Sequence, residues 1–418
     1  MYSENIINNK CMYNKKIEKI ILGVFSASIF TSKPAIYISS SLFVLYFFYR
    51  LLTDVDYREE VWSDYVVVGS LIVFCIGVIS RGICFYSLSD ITFFSYKSMF
   101  LIIFPALVMS LKDKNNRRLA LTVSVTGFIL SMLYSYVQAF ITLPGQWDLI
   151  RVGGLWDVSR WAEITAMVFA FMLATMQKNT TTNNRVIRIM FLVMIAVSLL
   201  LSGGRAGWVA VIFALIVYVF FLNRKVFICG ALSLCLLLVA SPYFSGPNNP
   251  IMQRVFSITE TTPKDYSNYS RLLMWRNGIS LIAYNMHHAP GKFIFGMGFE
   301  NFKSDYIKYL NNTSNVDELK QRTAGNYSLT DLHNSYIDAF NKMGALYAIS
   351  FYGYIVMILV VFSRGNGFPN SLIVVSPFLI IGFFYTNYIE FQTSMFFFIL
   401  AMYYASLQSL NLFDSHRY

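Results

Sequence analysis

Arg205, Arg271 and His333 are the residues of this chain best equipped for chemistry, because guanidinium forks grip phosphate oxygens and an imidazole accepts a proton near neutral pH. Arg205 stands in Ser202-Gly203-Gly204-Arg205-Ala206-Gly207-Trp208. An arginine at a membrane interface can simply snorkel, but the glycines around this one let backbone or ligand approach. Arg271 and Arg276 belong to an amphipathic helix expected over 269–283, with Ser270 as N-cap and Leu272, Trp275, Ile279 and Ile282 on one face. That pattern suits a helix on a membrane surface, where both guanidiniums could meet one anion. His333 lies in Asp331-Leu332-His333-Asn334-Ser335-Tyr336, with Asp338 close behind. The neighbouring pair His287-His288 cannot readily chelate one ion, since successive side chains on a helix point about 100° apart.

The surrounding segment offers acidic residues such as Glu260, Asp265, Glu300, Asp305 and Asp317, but no Asp-x-Asp or His-x-x-x-His spacing. No metal and no other cofactor is expected. A Walker sequence and a dinucleotide glycine pattern are also missing, and Phe295-Gly296-Met297-Gly298-Phe299 reads as a tight turn. What two or three arginines and one histidine can do is compensate a diphosphate leaving group and deprotonate an acceptor hydroxyl. Glycosyl transfer from a lipid diphosphate sugar fits that description.

These residues must be positioned by membrane helices. Of 418 residues, 56% are hydrophobic and 13% charged, where soluble domains carry about 25% charge. With about 20 apolar residues needed per crossing, about twelve spans are expected, at 17–31, 34–52, 64–80, 91–111, 119–143, 159–176, 187–202, 205–222, 226–241, 343–362, 371–386 and 391–411. The loops on one side carry Lys112, Lys114, Arg117, Arg118, Lys178, Arg185, Arg188, Arg224 and Lys225. Those on the other, the long loop aside, have Lys33, Arg81, Arg151, Arg160 and Arg205. This asymmetry puts both termini in the cytoplasm and the long loop outside. The chain thus divides into a membrane region over 1–241, a large external loop over 242–333, and a second membrane region over 334–418. The formal charge of +11 is spent largely on topology, so nucleic acid is not an expected partner. No cysteine falls in the loop, which excludes a disulfide there.

Taken in order, Leu201-Ser202-Gly203-Gly204-Arg205-Ala206-Gly207-Trp208, Arg271 with Met274-Trp275, Phe295-Gly296-Met297-Gly298 and Leu332-His333-Asn334-Ser335-Tyr336 resemble the O-antigen ligase and polymerase superfamily of bacterial inner membranes. The stretch Trp156-Asp157-Val158-Ser159-Arg160-Trp161-Ala162-Glu163 is similar to the motif this family carries at the external start of its sixth span. The resemblance implies an all-α polytopic membrane protein with GT-C-like glycosyltransferase architecture. It implies transfer of O-antigen glycan from undecaprenyl diphosphate to the lipid A-core oligosaccharide, with inversion and without metal or nucleotide. Arg205 and Arg271 then bind the donor diphosphate and His333 acts as base, with Arg160, and more weakly Glu390, as further donor contacts. Ser159 and Ala162 depart from the family's pattern, which sets Arg160 apart from the other two arginines.

A polymerase joining carrier-linked repeat units uses the same groups and is the alternative reading. A transporter or flippase needs charge near the bilayer midplane, for which Lys97 and Glu163 are the few candidates. The concentration of chemistry at the external ends of the spans favours an enzyme.

Overall fold

The protein is described by a computed structural model over residues 2–85, 87–142, 151–176, 182–222 and 266–409. The described elements are all helical: α1 (Tyr2–Thr31), α2 (Lys33–Thr53), α3 (Val55–Ser63), α4 (Tyr65–Phe85), α5 (Leu88–Lys97), α6 (Phe100–Lys112), α7 (Lys114–Val137, followed by a π turn Gln138–Thr142), α8 (Val158–Ala174), α9 (Thr182–Ser202), α10 (Arg205–Leu222), α11 (Tyr266–His288), α12 (Pro290–Phe295), α13 (Phe302–Thr313), α14 (Val316–Arg322), α15 (Ser335–Asn366), α16 (Phe368–Gly382) and α17 (Thr393–Ser409). Local chemistry sets many of the starts. Ser32, Asp54, Ser87, Asp113, Asp157 and Asn334 each accept backbone N–H groups of the first turn of the helix that follows them.

Among the described residues, six helical stretches are long and apolar enough to cross a membrane: Lys33–Thr53, Tyr65–Gly82, Leu88–Lys112, Lys114–Ile141, Asn183–Ser202 and Ser335–Gly365. Two shorter apolar helices, Arg205–Phe221 and Phe368–Gly382, run beside them. The protein is therefore a helical membrane protein. The span expected at 226–241 and the first part of the loop, 242–265, lie outside the described residues.

The span expected at 91–111 is present as the stretch Leu88–Lys112, built of two abutting helices with a break at Ser98 and Met99. Two expectations need correction. The span placed at 371–386 stops at Gly382, because residues 383–387 leave the helix to clasp the start of α15. Arg81, assigned to an external loop, is instead fully buried inside α4.

Arg81 answers a need created by α15. Gly344 breaks that helix with φ 81° and ψ 169°, a conformation that only glycine adopts readily. The break frees carbonyls that need donors. Arg81 donates to the carbonyls of Lys342 (2.7 Å) and Met343 (3.2 Å) and also reaches that of Phe295. The N–H groups of Met297 and Gly298 donate to Asn341 (2.9 Å) and Lys342 (3.0 Å). Phe295-Gly296-Met297-Gly298 is thus a turn, as expected, but one docked onto a kinked membrane helix. Asp90 closes the arrangement, lying 3.7 Å from Arg81 and accepting the N–H groups of Phe299 and Glu300.

α11 to α14 carry their own small core, with Met274, Leu281, Met297, Phe302, Tyr306 and Leu310 among its members. α11 meets α15 at Gly278, where an added Cβ would stand 2.6 Å from Ile337. Asn341 donates to the Gly278 carbonyl at 3.1 Å.

Candidate functional site

At the end of the bundle where α10 begins, a pocket of about 270 Å³ is lined by Arg151, Gly203, Arg205, Asn268, Arg271 and Tyr385, together with four further residues. Three arginines from three separate elements converge there. Arg205 opens α10, immediately after the left-handed turn at Gly203 (φ 63°). Its Nη1 donates to Asn268 of α11 at 3.3 Å. Arg151 is anchored by donation from Nε to the Ser202 carbonyl at 3.0 Å, and Val152 donates to the Leu201 carbonyl next to it. The guanidinium of Arg271 lies over the Tyr385 ring, 5.5 Å from its centre.

The glycines beside Arg205 divide their work. An added Cβ at Gly204 would stand 2.2 Å from the Ala162 Cβ, and one at Gly207 would stand 2.8 Å from the Ala162 carbonyl oxygen. Both therefore serve the close crossing of α8, and only Gly203 faces the pocket.

α11 begins at Tyr266 rather than near Ser270, so Ser270 is no N-cap. It is a buried residue inside the helix whose hydroxyl donates to the Ser267 carbonyl. The packed face is Ser270, Met274, Gly278, Leu281 and Asn285. Leu272 and Ile279, from the expected apolar stripe, are exposed. Arg271 points to the pocket, whereas Arg276 is exposed and does not line it.

His333 adopts φ 48°, a left-handed conformation that costs a non-glycine residue roughly 1–2 kcal/mol and must be held by its surroundings. Four contacts hold it. Its N–H donates to Asp331 Oδ1 (2.8 Å), and its carbonyl accepts from Trp275 Nε1 (3.3 Å). The preceding Leu332 N–H donates to Asp338 (3.2 Å), and the following Asn334 caps α15. Asn334 and Ser335 also donate to the carbonyls of Phe383 and Tyr385, so the histidine and the Tyr385 wall of the pocket share one clasp.

His333 does not itself line the arginine pocket, but Arg271 is close enough to act on it electrostatically. Burial pushes its imidazole below the ordinary histidine range, and the positive charges of Arg271, Lys342 and Arg160 add to that, against the opposing pull of Asp331. The ring is therefore neutral at neutral pH and able to accept a proton. Burial pushes the Asp331 carboxyl up. Lys342 and His333, with hydrogen bonds from Thr386 and the His333 N–H, outweigh it and hold the carboxyl below its usual range.

Arg160 and Glu390 are engaged within the protein. Arg160 Nη1 pairs with Glu163 Oε1 at 2.8 Å, and Glu163 is fully buried. Glu390 lies 3.7 Å from Lys97 and within electrostatic reach of Arg160. Lys97 and Glu163 are thus members of ion pairs. The expected motif Trp156–Glu163 is largely architectural: Asp157 caps α8, and Trp161 stacks on Phe128 and donates to Ser198 at 3.0 Å.

Sequence reasoning missed Arg151, Lys342 and Tyr385 as neighbours of the site. Arg151 was visible as an external basic residue, and Lys342 sits four residues after Asp338 on one helix face, with a 2.8 Å ion pair between them. Nothing in the sequence distinguishes Tyr385 from the many other tyrosines.

Fold and pocket define a helical membrane protein with three arginines gathered in one pocket at the ends of its spans. Residues 189–352 match the family model described as O-antigen ligase, and this match supports a member of the O-antigen ligase/polymerase superfamily, with ligase- or polymerase-type activity on carrier-linked polysaccharide. The matched segment contains Arg205, Arg271, Arg276 and His333 but not Arg160. No curated protein matches the chain.

Proposed function

We propose that the protein transfers O-antigen glycan from undecaprenyl diphosphate to the lipid A-core oligosaccharide. Arg205 and Arg271 hold the donor diphosphate, joined by Arg151, and His333 is the base. The observation that carries this reading is the pocket shared by Arg205, Arg271 and Arg151, with a neutral histidine beside Arg271.

The acceptor hydroxyl oxygen attacks the anomeric carbon and forms the new glycosidic bond while the bond to the diphosphate breaks. The electron pair of that bond leaves on the diphosphate oxygen, where the guanidiniums meet the added charge. The hydroxyl proton passes to His333. A leaving group already able to carry negative charge needs no general acid. Because both substrates are lipids, the charged groups belong at the wet end of the spans, facing the periplasm of an inner-membrane protein with cytoplasmic termini. Arg160 is better assigned to holding Glu163 than to the donor, and Arg276 to solvent or lipid headgroups.

The test is genetic. The gene is deleted in its host and restored as wild type or as His333→Ala, and lipopolysaccharide is compared on a gel. A ligase predicts bare core and accumulated carrier-linked polymer in the His333→Ala strain. Core bearing a single repeat unit would identify a polymerase instead, and unimpaired lipopolysaccharide would remove His333 from the chemistry.

A further inference from the structure

A second and larger cavity, of about 1320 Å³, lies at the opposite end of the bundle. α10 links the two, because Arg205 and Val209 line the first and Tyr218 and Val219 the second. Arg117, Arg118, Arg185 and Arg188 stand around the second cavity, and among its described lining residues there is no aspartate or glutamate. Its deeper wall is apolar, including Leu121, Val125, Phe128, Phe171, Met172 and Phe398. From Arg117 to Phe128 is eleven residues of one helix, or about 16 Å. That depth matches one leaflet of a hydrocarbon core roughly 30 Å thick.

The four arginines are not equivalent. Arg117 donates to the carbonyls of Leu111 (3.3 Å) and Ala405 (3.0 Å), and Arg188 donates to that of Thr175 (3.0 Å). These two clasp helix ends. Arg118 and Arg185 are exposed and have no side-chain partner among the described residues. A basic rim over an apolar shaft one leaflet deep has the form of an amphiphile with an anionic head.

We infer that this cavity binds an anionic glycerophospholipid, with its phosphate between Arg118 and Arg185 and an acyl chain against Phe128 and Phe171. Guanidinium forks match phosphate oxygens in two-point geometry, and basic recesses between membrane helices are suited to anionic headgroups. A zwitterionic lipid fills the same shaft but sets its ammonium against the arginines. The inference is independent of the transfer reaction, since the cavity shares no residue with the arginine-histidine site.

The test is native mass spectrometry of the purified full-length protein with equal amounts of phosphatidylglycerol and phosphatidylcholine of identical chains. Preferential retention of phosphatidylglycerol is expected, with the preference falling about tenfold in Arg118→Gln/Arg185→Gln. Arg58→Gln, an exposed arginine of α3 outside the cavity, keeps the wild-type preference, and melting curves of all three proteins show that the fold persists. Soluble glycerol 3-phosphate does not displace the lipid. Equal retention of the two lipids, an undiminished preference in the double variant, or displacement by glycerol 3-phosphate would each overturn the proposal.

Discussion

Asp331 holds His333 twice: Oδ1 accepts the backbone N–H of His333 at 2.8 Å, and Oδ2 stands 3.8 Å from its Nδ1. The first contact fixes an unfavourable backbone and the second is electrostatic. The two separate in a pH experiment. A base works when neutral, so kcat/KM for the acceptor falls as pH drops through the His333 pKa. That acid limb is expected below the ordinary imidazole range of about 6.5, because burial and Arg271 favour the neutral ring. Asp331→Asn keeps an oxygen for the N–H but removes the charge that draws the pKa upward, so the limb moves to still lower pH. An unchanged or raised limb in Asp331→Asn would show that another group is titrating.

Arg205 and Arg271 approach one pocket from α10 and α11. Lysine at either position keeps the charge but loses the two-point fork. Charge-assisted hydrogen bonds contribute about 1.5–3 kcal/mol, so Arg205→Lys and Arg271→Lys are each expected to lower transfer about tenfold or more in a reconstituted assay. Arg276→Ala, on the exposed side of the same helix, should remain within about twofold of wild type. Equal losses in all three would mean that the arginines act through membrane binding rather than through the pocket.

Glu163 and Arg160 form a pair in which the carboxylate is fully buried and the guanidinium one-fifth exposed. Removing only the arginine strands a buried charge, at a cost of about 3–5 kcal/mol. Arg160→Gln should therefore lower the melting temperature sharply, and Arg160→Gln/Glu163→Gln should recover most of it. Transfer activity in the stable double variant separates a structural pair from a donor contact. Retained activity supports the structural role, and lost activity in a fully stable protein restores Arg160 to the site.

Much of this could be read from residue types, and the remainder shows what periodicity cannot reach. Hydropathy located the six stretches that are long and apolar enough to cross a membrane, because apolar length is local information, and Asp331-Leu332-His333-Asn334-Ser335 stood out because polar residues at a span boundary need a reason. Arg205 and Arg271 were visible for the same cause, their neighbours being small or amphipathic. The packed face of α11 was not legible. It runs through Ser270, Gly278 and Asn285, residues chosen for close approach and hydrogen bonding rather than for hydrophobicity. The burial of Arg81 was equally hidden, because its partners are backbone carbonyls exposed only once α15 is kinked at a residue more than 250 positions away. Arg151 joined the pocket through the path of the chain alongside the Leu201–Gly203 turn, a tertiary fact without a motif.

The kink itself yields the remaining prediction. At Gly344 an added Cβ would stand 2.3 Å from the Gly296 nitrogen, and the φ of 81° is unfavourable for any side chain. Straightening α15 would remove the clash, but it would pull Lys342 and Met343 away from Arg81 and leave a buried guanidinium beside Asp90 without its acceptors. Neither route is cheap, so Gly344→Ala should abolish the monodisperse peak of a fluorescent fusion on size-exclusion chromatography. Arg81→Met should lower the melting temperature, because Asp90 loses its counter-charge and the freed carbonyls lose their donor. His333 lies on the same helix-start segment as these carbonyls, so any surviving Arg81→Met protein should also lose transfer activity. Wild-type yield and melting behaviour in both variants would mean that α15 runs straight and that the turn at Gly296 is held by something else.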